Sequence, residues 1–171
     1  LLADEMAAVE PRAWRAGELK SIAKNCRPIA LHAPQSFWQA LQLSYFVQLV
    51  LQIESNGHSV SFGRMDQFLY PWYQKDVASG TLAREQAIEL LQSCWLKLLE
   101  VSKIRSGSHS KSSAGSPLYQ NVTIGGQILV DGVAQDAVNQ LSYVILESCG
   151  RLRSTQPNLS VRYHAGISDE F

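Results

Sequence analysis

The chain has 171 residues, 46% of them hydrophobic, and fifteen Lys and Arg balance fifteen Asp and Glu. That length and apolar content exclude a disordered segment and suit one globular domain or part of a larger one. With no net charge and scattered basic residues, a nucleic-acid partner is excluded as well. The three cysteines, Cys26, Cys94 and Cys149, show neither CxxC nor Cys/His metal spacing, so no metal site and no disulfide framework are expected. Three reduced cysteines in or near a helical core point to the cytoplasm, and the opening LLADEM lacks the basic start of a secretory signal.

Ala3 to Lys24 reads as helical but interrupted at Pro11 and Gly17, and Pro28 and Pro34 bracket an irregular link. Ser36 is a candidate N-cap for a long helix from Phe37 to about Ser55. Phe37, Leu41, Tyr45, Leu49 and Ile53 recur every four residues there, and Ala40, Leu43, Phe46, Val47 and Val50 widen the stripe. A helix apolar over so much of its circumference belongs inside something large. Its glutamines at 39, 42, 48 and 52 argue against a membrane span, because amides go unsatisfied in hydrocarbon.

Asn56-Gly57 stops that helix, and an extended piece from His58 to Phe62 follows. Asp66 to Asp76 reads as helical with a break at Pro71, and Leu82 to Ile104 as a second long helix carrying Ile88, Leu91, Trp95, Leu98 and Leu99. Ser106 to Pro117 has the composition of a flexible linker. Tyr119 to Ile124 reads as a strand, Gly125-Gly126 as a turn, and Gln127 to Val130 as another extended piece. A third helix is expected over Ala134 to Arg151, and a strand over Leu159 to Tyr163. Ser168 would cap a further helix, so truncation is expected at Phe171. The alternation of helices and strands favours an α/β architecture whose sheet is shared with further sequence.

Three motifs stand in this order: QIESNGHSVSFGRMDQFLYPWY at Gln52 to Tyr73, YQNVTIGGQ at Tyr119 to Gln127 with DAVNQLSYVILES from Asp136, and QPNLSVRYH at Gln156 to His164. Together with FWQALQLSYFVQL upstream, they resemble the middle of the catalytic domain of glycyl radical enzymes of the pyruvate formate-lyase family. The resemblance covers about residues 20 to 171. It implies a helix-rich part of a ten-stranded α/β barrel, with residues 1–171 forming part of a single catalytic domain. It also implies a glycyl radical installed by an S-adenosylmethionine iron–sulfur activating enzyme, a thiyl radical on a finger-loop cysteine, and a homodimeric parent. The finger-loop motif and the RVxGY-like glycine loop do not occur here, and both lie C-terminal to the matched region in the family. Neither the radical glycine nor the thiyl cysteine is therefore assigned, and the chain alone is expected to be inactive.

His58-Ser59 looks like the glycerol and diol dehydratase branch, where the resemblance implies hydrogen bonds to substrate hydroxyls. Imidazole and hydroxyl groups both donate and accept, which suits a 1,2-diol. A capping role for His58 is the alternative. Ser113, Asn121 and Arg162 are expected to shape or orient the pocket, and Arg64 and Asp66 to fix a strand-to-helix turn. The serine-rich stretch at Ser112, Ser113 and Ser116 stands where several relatives carry a large aromatic, leaving a formate acetyltransferase-like, decarboxylase-like or C–N lyase-type member open. A non-catalytic helical scaffold descended from the family is the rival of a different class.

Overall fold

The computed structural model describes residues 2–54, 60–101, 106–114 and 119–171. Helix α1 (Leu2–Val9) packs on α2 (Ala13–Ile29), which in turn packs on the long α3 (Phe37–Glu54). The break between α1 and α2 falls near Pro11, as expected. Gly17, however, does not interrupt α2, which runs on through Pro28 in its last turn. An exposed glycine costs a helix only about 1 kcal/mol, too little to end one anchored by packing. Ser36 Oγ accepts from the Gln39 backbone N–H at 3.2 Å, the expected cap. A second cap arrives from elsewhere in the chain: the buried carboxylate of Asp76 accepts from Phe37 N–H at 2.7 Å.

Strand β1 is only Gly63–Arg64, and α4 (Met65–Phe68) follows at once. The extended piece expected over His58 to Phe62 lies partly outside the described residues, and Val60 to Phe62 is not strand. The Pro71 break is real: α5 (Tyr70–Ala78) starts afresh with Pro71 in its first turn, where a missing N–H is harmless. Helix α6 (Arg84–Leu99) is shorter than the expected Leu82 to Ile104, whose last three residues lie outside the described set. Its Ile88, Leu91, Trp95 and Leu98 are buried, but Leu99 is exposed.

The supposed linker holds a short helix, α7 (Gly107–Ser112), capped by Ser106 Oγ on His109 N–H; residues 115 to 117 lie outside the described set. Strand β2 (Asn121–Gly125) precedes a hairpin of β3 (Gln127–Val130) and β4 (Val133–Asp136). The hairpin overturns the expected helix start at Ala134. Asp131 and Gly132 both have positive φ (50° and 81°), the pattern of a type I′ turn, and this fixes the strand pairing. Helix α8 (Gln140–Leu152) begins at Asn139, whose Oδ1 accepts from Leu141 and Ser142 N–H. Strand β5 is Asn158–Arg162, and Ser168 accepts from Glu170 N–H in a turn rather than opening a helix.

Strands β1, β2 and β5 form one parallel sheet in the order β1-β2-β5. Val122 and Ile124 point from it into a core shared with Leu41, Met65, Leu69, Leu91, Trp95, Leu98, Leu141 and Ile145. Helices α6 and α8 close that core, locked by Trp95 Nε1–H on Ser148 Oγ at 2.8 Å. The helix-rich α/β architecture expected from the sequence is the one observed. No described helix is long and apolar enough to cross a membrane.

One buried carboxylate ties these parts together. Asp66 Oδ2 accepts from Gly125 N–H at 2.7 Å and from Ser142 Oγ at 2.6 Å. Asn139 Nδ2 donates to Asp66 O at 2.9 Å. Arg64 does not pair with Asp66; it donates to Gly125 O at 2.6 Å and Gln127 O at 3.0 Å. Replacing Asp66 by Ala strands the Gly125 and Ser142 donors in the core. The expected loss is about 3 kcal/mol, measured as a lower urea midpoint at unchanged slope; a loss under about 1 kcal/mol would show that the network is replaceable.

The outer seam of α6 and α8 carries Arg84–Glu147 at 2.5 Å and Arg151–Glu85 at 2.6 Å, with Arg151 also on Glu147. Hydrogen bonds from Arg151 hold Glu85, and from Arg84 hold Glu147, below their ordinary 4.5. A lowered folded-state pKa means stabilisation that is present above 4.5 and lost as pH falls through the lowered value. Thermal melts should therefore decline more steeply below pH 4.5 in wild type than in Arg151→Ala. Equal acid slopes would remove the seam from the account.

Candidate active-site face

The sheet has two chemically different faces. Parallel register sets Asn121 beside Asn158, Thr123 beside Ser160, and Gly125 beside Arg162, with Arg64 beside Thr123. Because side chains alternate along a strand, these polar residues share one face, while Val122, Ile124, Leu159 and Val161 take the other. Val122, Ile124 and Leu159 of the apolar face pack on the core, while Val161 is exposed, which leaves the polar face as the candidate site face. Asn121 Nδ2 donates to Ser160 Oγ at 3.0 Å, which links β2 to β5 across that face. Residue alternation in NVTI and NLSVR already carries this division.

At the N-terminal edge of the sheet, three buried glutamines converge. Gln48 of α3 donates through Nε2 to Val60 O at 2.7 Å and to Gln120 Oε1 at 3.1 Å. Gln120 N–H donates to Gln156 Oε1 at 3.0 Å. Sequence reading passed over all three, treating the α3 glutamines only as evidence against a membrane. The four-residue spacing of Gln48 and Gln52, on a helix otherwise apolar, was the available signal.

At the opposite edge, Asp136 accepts from Val138 and Ser168 N–H and meets His164 Nε2 at 3.1 Å. Gly126 there has φ +83° and lies against Arg162.

Of the residues singled out in the sequence, His58 and Ser59 lie outside the described residues. Asn121 opens β2 on the polar face, and Arg162 ends β5 and is exposed. Four residues of register separate them, about 13 Å along the strands, so they do not act on the same atom. Ser113 ends α7, and its N–H bonds back to His109 O within that helix. Among the described residues no cluster of His, Cys, Asp and Glu could hold a metal.

Cys26, Cys94 and Cys149 lie in α2, α6 and α8. Burial pushes the Cys94 thiol up to about 12 and Cys149 up to about 11, and raises Cys26 as well.

The pyruvate formate lyase-like family model matches residues 1–171. The chain belongs to the pyruvate formate lyase-like family. It is 75% identical to the probable dehydratase YbiW of Escherichia coli (strain K12), covering 99% of this chain and 21% of that protein. A solved structure concerned with 1,2-propanediol dehydration in Roseburia inulinivorans superposes with a TM-score of 0.91 at 41% identity, over 98% of this chain and 20% of that one. The glycerol-bound form of the B12-independent glycerol dehydratase from Clostridium butyricum gives 0.89 at 39%, over 98% and 21%. The chain thus spans about a fifth of the length of the relatives it matches. Its relatives are glycyl radical dehydratases and lyases.

A Cβ on Gly126 would stand 3.0 Å from Arg162 Cβ, and its φ is one that side chains rarely adopt. Gly126→Ala is expected to cost about 1–2 kcal/mol in chemical denaturation. Wild-type stability in that variant would mean that the edge holding Arg162 relaxes freely.

Proposed function

We propose that the full protein bearing this chain is a glycyl radical dehydratase of the cytoplasm that acts on a small 1,2-diol such as glycerol. Residues 1–171 form part of one catalytic domain, and His58 and Ser59 grip the substrate hydroxyls. The similarity to dehydratases over nearly the whole chain carries this reading, together with a His-Ser pair just before the strand that borders the polar sheet face. The radical, installed on a glycine by an activating enzyme that uses S-adenosylmethionine and an iron–sulfur centre, supplies the hydrogen abstraction. The proposal extends to a homodimeric parent.

What this chain contributes is binding and orientation. Dehydration removes hydrogen from one carbon and hydroxide from its neighbour, so both oxygens must be held at fixed angles. A histidine and a serine can each donate and accept, and together they match two adjacent hydroxyls. A site built to pair hydroxyls leaves its own polar groups unsatisfied when a substrate lacks them, which discriminates strongly. The polar face of Asn121, Thr123 and Ser160 presents further hydrogen-bonding groups, while the Arg64 guanidinium beside Thr123 is spent on the Gly125 and Gln127 carbonyls.

The test is the anaerobically activated full-length enzyme, assayed for aldehyde formation from glycerol and 1,2-propanediol. His58→Ala and Ser59→Ala should each lower kcat/KM about 10²-fold while the glycyl radical signal by electron paramagnetic resonance keeps its wild-type amplitude. Wild-type turnover in both variants would sink the assignment.

A further inference from the structure

Asp66 keeps one oxygen that none of the described residues reaches. Its Oδ2 takes Gly125 N–H and Ser142 Oγ–H, but Oδ1 has no hydrogen-bond partner although the residue is 0% exposed. A buried acceptor without a donor is costly, the more so on a charged group. Arg64 shows the converse. Its Nη1 and Nη2 donate to Gln127 O and Gly125 O, while its buried Nε–H has no acceptor. An orphaned acceptor and an orphaned donor thus stand two positions apart in the chain.

Both side chains grip the same residue. Asp66 holds Gly125 by its N–H at 2.7 Å, and Arg64 holds it by its carbonyl at 2.6 Å. Oδ1 shares a carbon with the oxygen on Gly125 N–H, and Nε shares one with the nitrogen on Gly125 O. The two orphaned atoms therefore flank one peptide corner without bonding to each other. We propose that this corner binds one internal water molecule, which donates to Asp66 Oδ1 and accepts from Arg64 Nε–H.

The chemistry of the two atoms selects that ligand. A metal ion would face the guanidinium and an anion the carboxylate, so like charge opposes both. A further stretch of protein cannot reach atoms already sealed from solvent. What fits is a small neutral molecule that donates on one side and accepts on the other. Water does both, and satisfying buried polar groups that lack partners is the usual task of internal water. The bridge makes Arg64 and Asp66 a water-separated ion pair around Gly125. One residue is then held directly at its N–H and its carbonyl, and the two side chains that hold it are held to each other.

Crystals of the full-length protein, diffracting well enough to show ordered water, test this directly. One water peak is expected about 2.6–3.2 Å from both Asp66 Oδ1 and Arg64 Nε. Asp66→Asn keeps an oxygen for Gly125 and Ser142 and sets an amide N–H2 where Oδ1 stood. It should retain the peak, because a water oxygen can accept from that amide and from Nε–H together. Arg64→Met keeps an unbranched stem but donates nothing, and should lose the peak. The absence of a wild-type peak between two ordered side chains, a peak on only one of the atoms, or a direct Arg64–Asp66 contact would overturn the inference. So would a peak closer than about 2.5 Å to Oδ1, which marks a cation, or one that survives Arg64→Met unchanged. If Arg64→Met does not fold, the wild-type and Asp66→Asn crystals decide.

Discussion

A carboxylate with no exposure at all, Asp66, sets the geometry on which the rest of this structure depends. Removing a charge from water is costly unless hydrogen bonds replace the lost hydration. Here a main-chain N–H from Gly125 and a hydroxyl from Ser142 do so, on the same oxygen. Those two donors come from segments 59 and 76 residues away, so the bonds exist only when β2 and α8 are both docked. Satisfying one oxygen of this buried carboxyl group therefore imposes the juxtaposition of the first two sequence motifs. Arg64, two residues earlier, uses its guanidinium on the carbonyls of Gly125 and Gln127 instead. The Gly125-Gly126 corner is thus held on its N–H side by an acid and on its carbonyl side by a base.

Helix α3 answers a different constraint. Its buried residues are Phe37, Ala40, Leu41, Gln48 and Gln52, while Val47, Val50, Leu51 and Ile53 lie in the open. The second half of the helix is thus inverted, with amides inward and aliphatics outward. Inward amides are tolerable because Gln48 finds two acceptors. The outward aliphatic stripe is the kind of surface that monomeric proteins seldom leave uncovered. Leu96 and Leu99 on α6 add to the exposed apolar area.

Much of the fold could be read from the chain wherever local chemistry and tertiary packing agree. Ser36 caps because its hydroxyl reaches Gln39, and Pro71 breaks because only a first turn accepts its missing N–H. The alternation of Val122 and Ile124 with Asn121 and Thr123 marks a strand with two unlike faces. Failures arose where a neighbour outweighed local signals. Gly17 sits inside α2 because the helix is carried by packing of Leu19, Ala23 and Ile29. The helix expected from Ala134 gave way to a hairpin because Asp131-Gly132 supplies a type I′ turn that the apolar periodicity concealed. The α7 helix owes its start to the Ser106 cap, within a stretch whose glycine and serine content suggests no helix. At the candidate site, the glutamine cluster was illegible because its members lie 72 and 36 residues apart, and no pattern within one segment predicts their meeting.

The two edges of the parallel sheet are fastened by opposite chemistries, and the contrast bears on what lies between. The C-terminal edge uses charge: Asp66 inside, Arg64 across the carbonyls, and Asp136 on backbone N–H groups and His164. The N-terminal edge, where Gln48, Gln120 and Gln156 meet, uses neutral amides. Ionic fastening is strong and directional but projects a field into a low-dielectric surrounding. Amide fastening fixes the backbone through paired donors and acceptors and leaves no net charge behind. Weak dipoles on an adjoining face then need not compete with a nearby ion. The polar face of Asn121, Thr123 and Ser160 runs from that edge past Arg64, beside Thr123, to Arg162 about 13 Å along the strands.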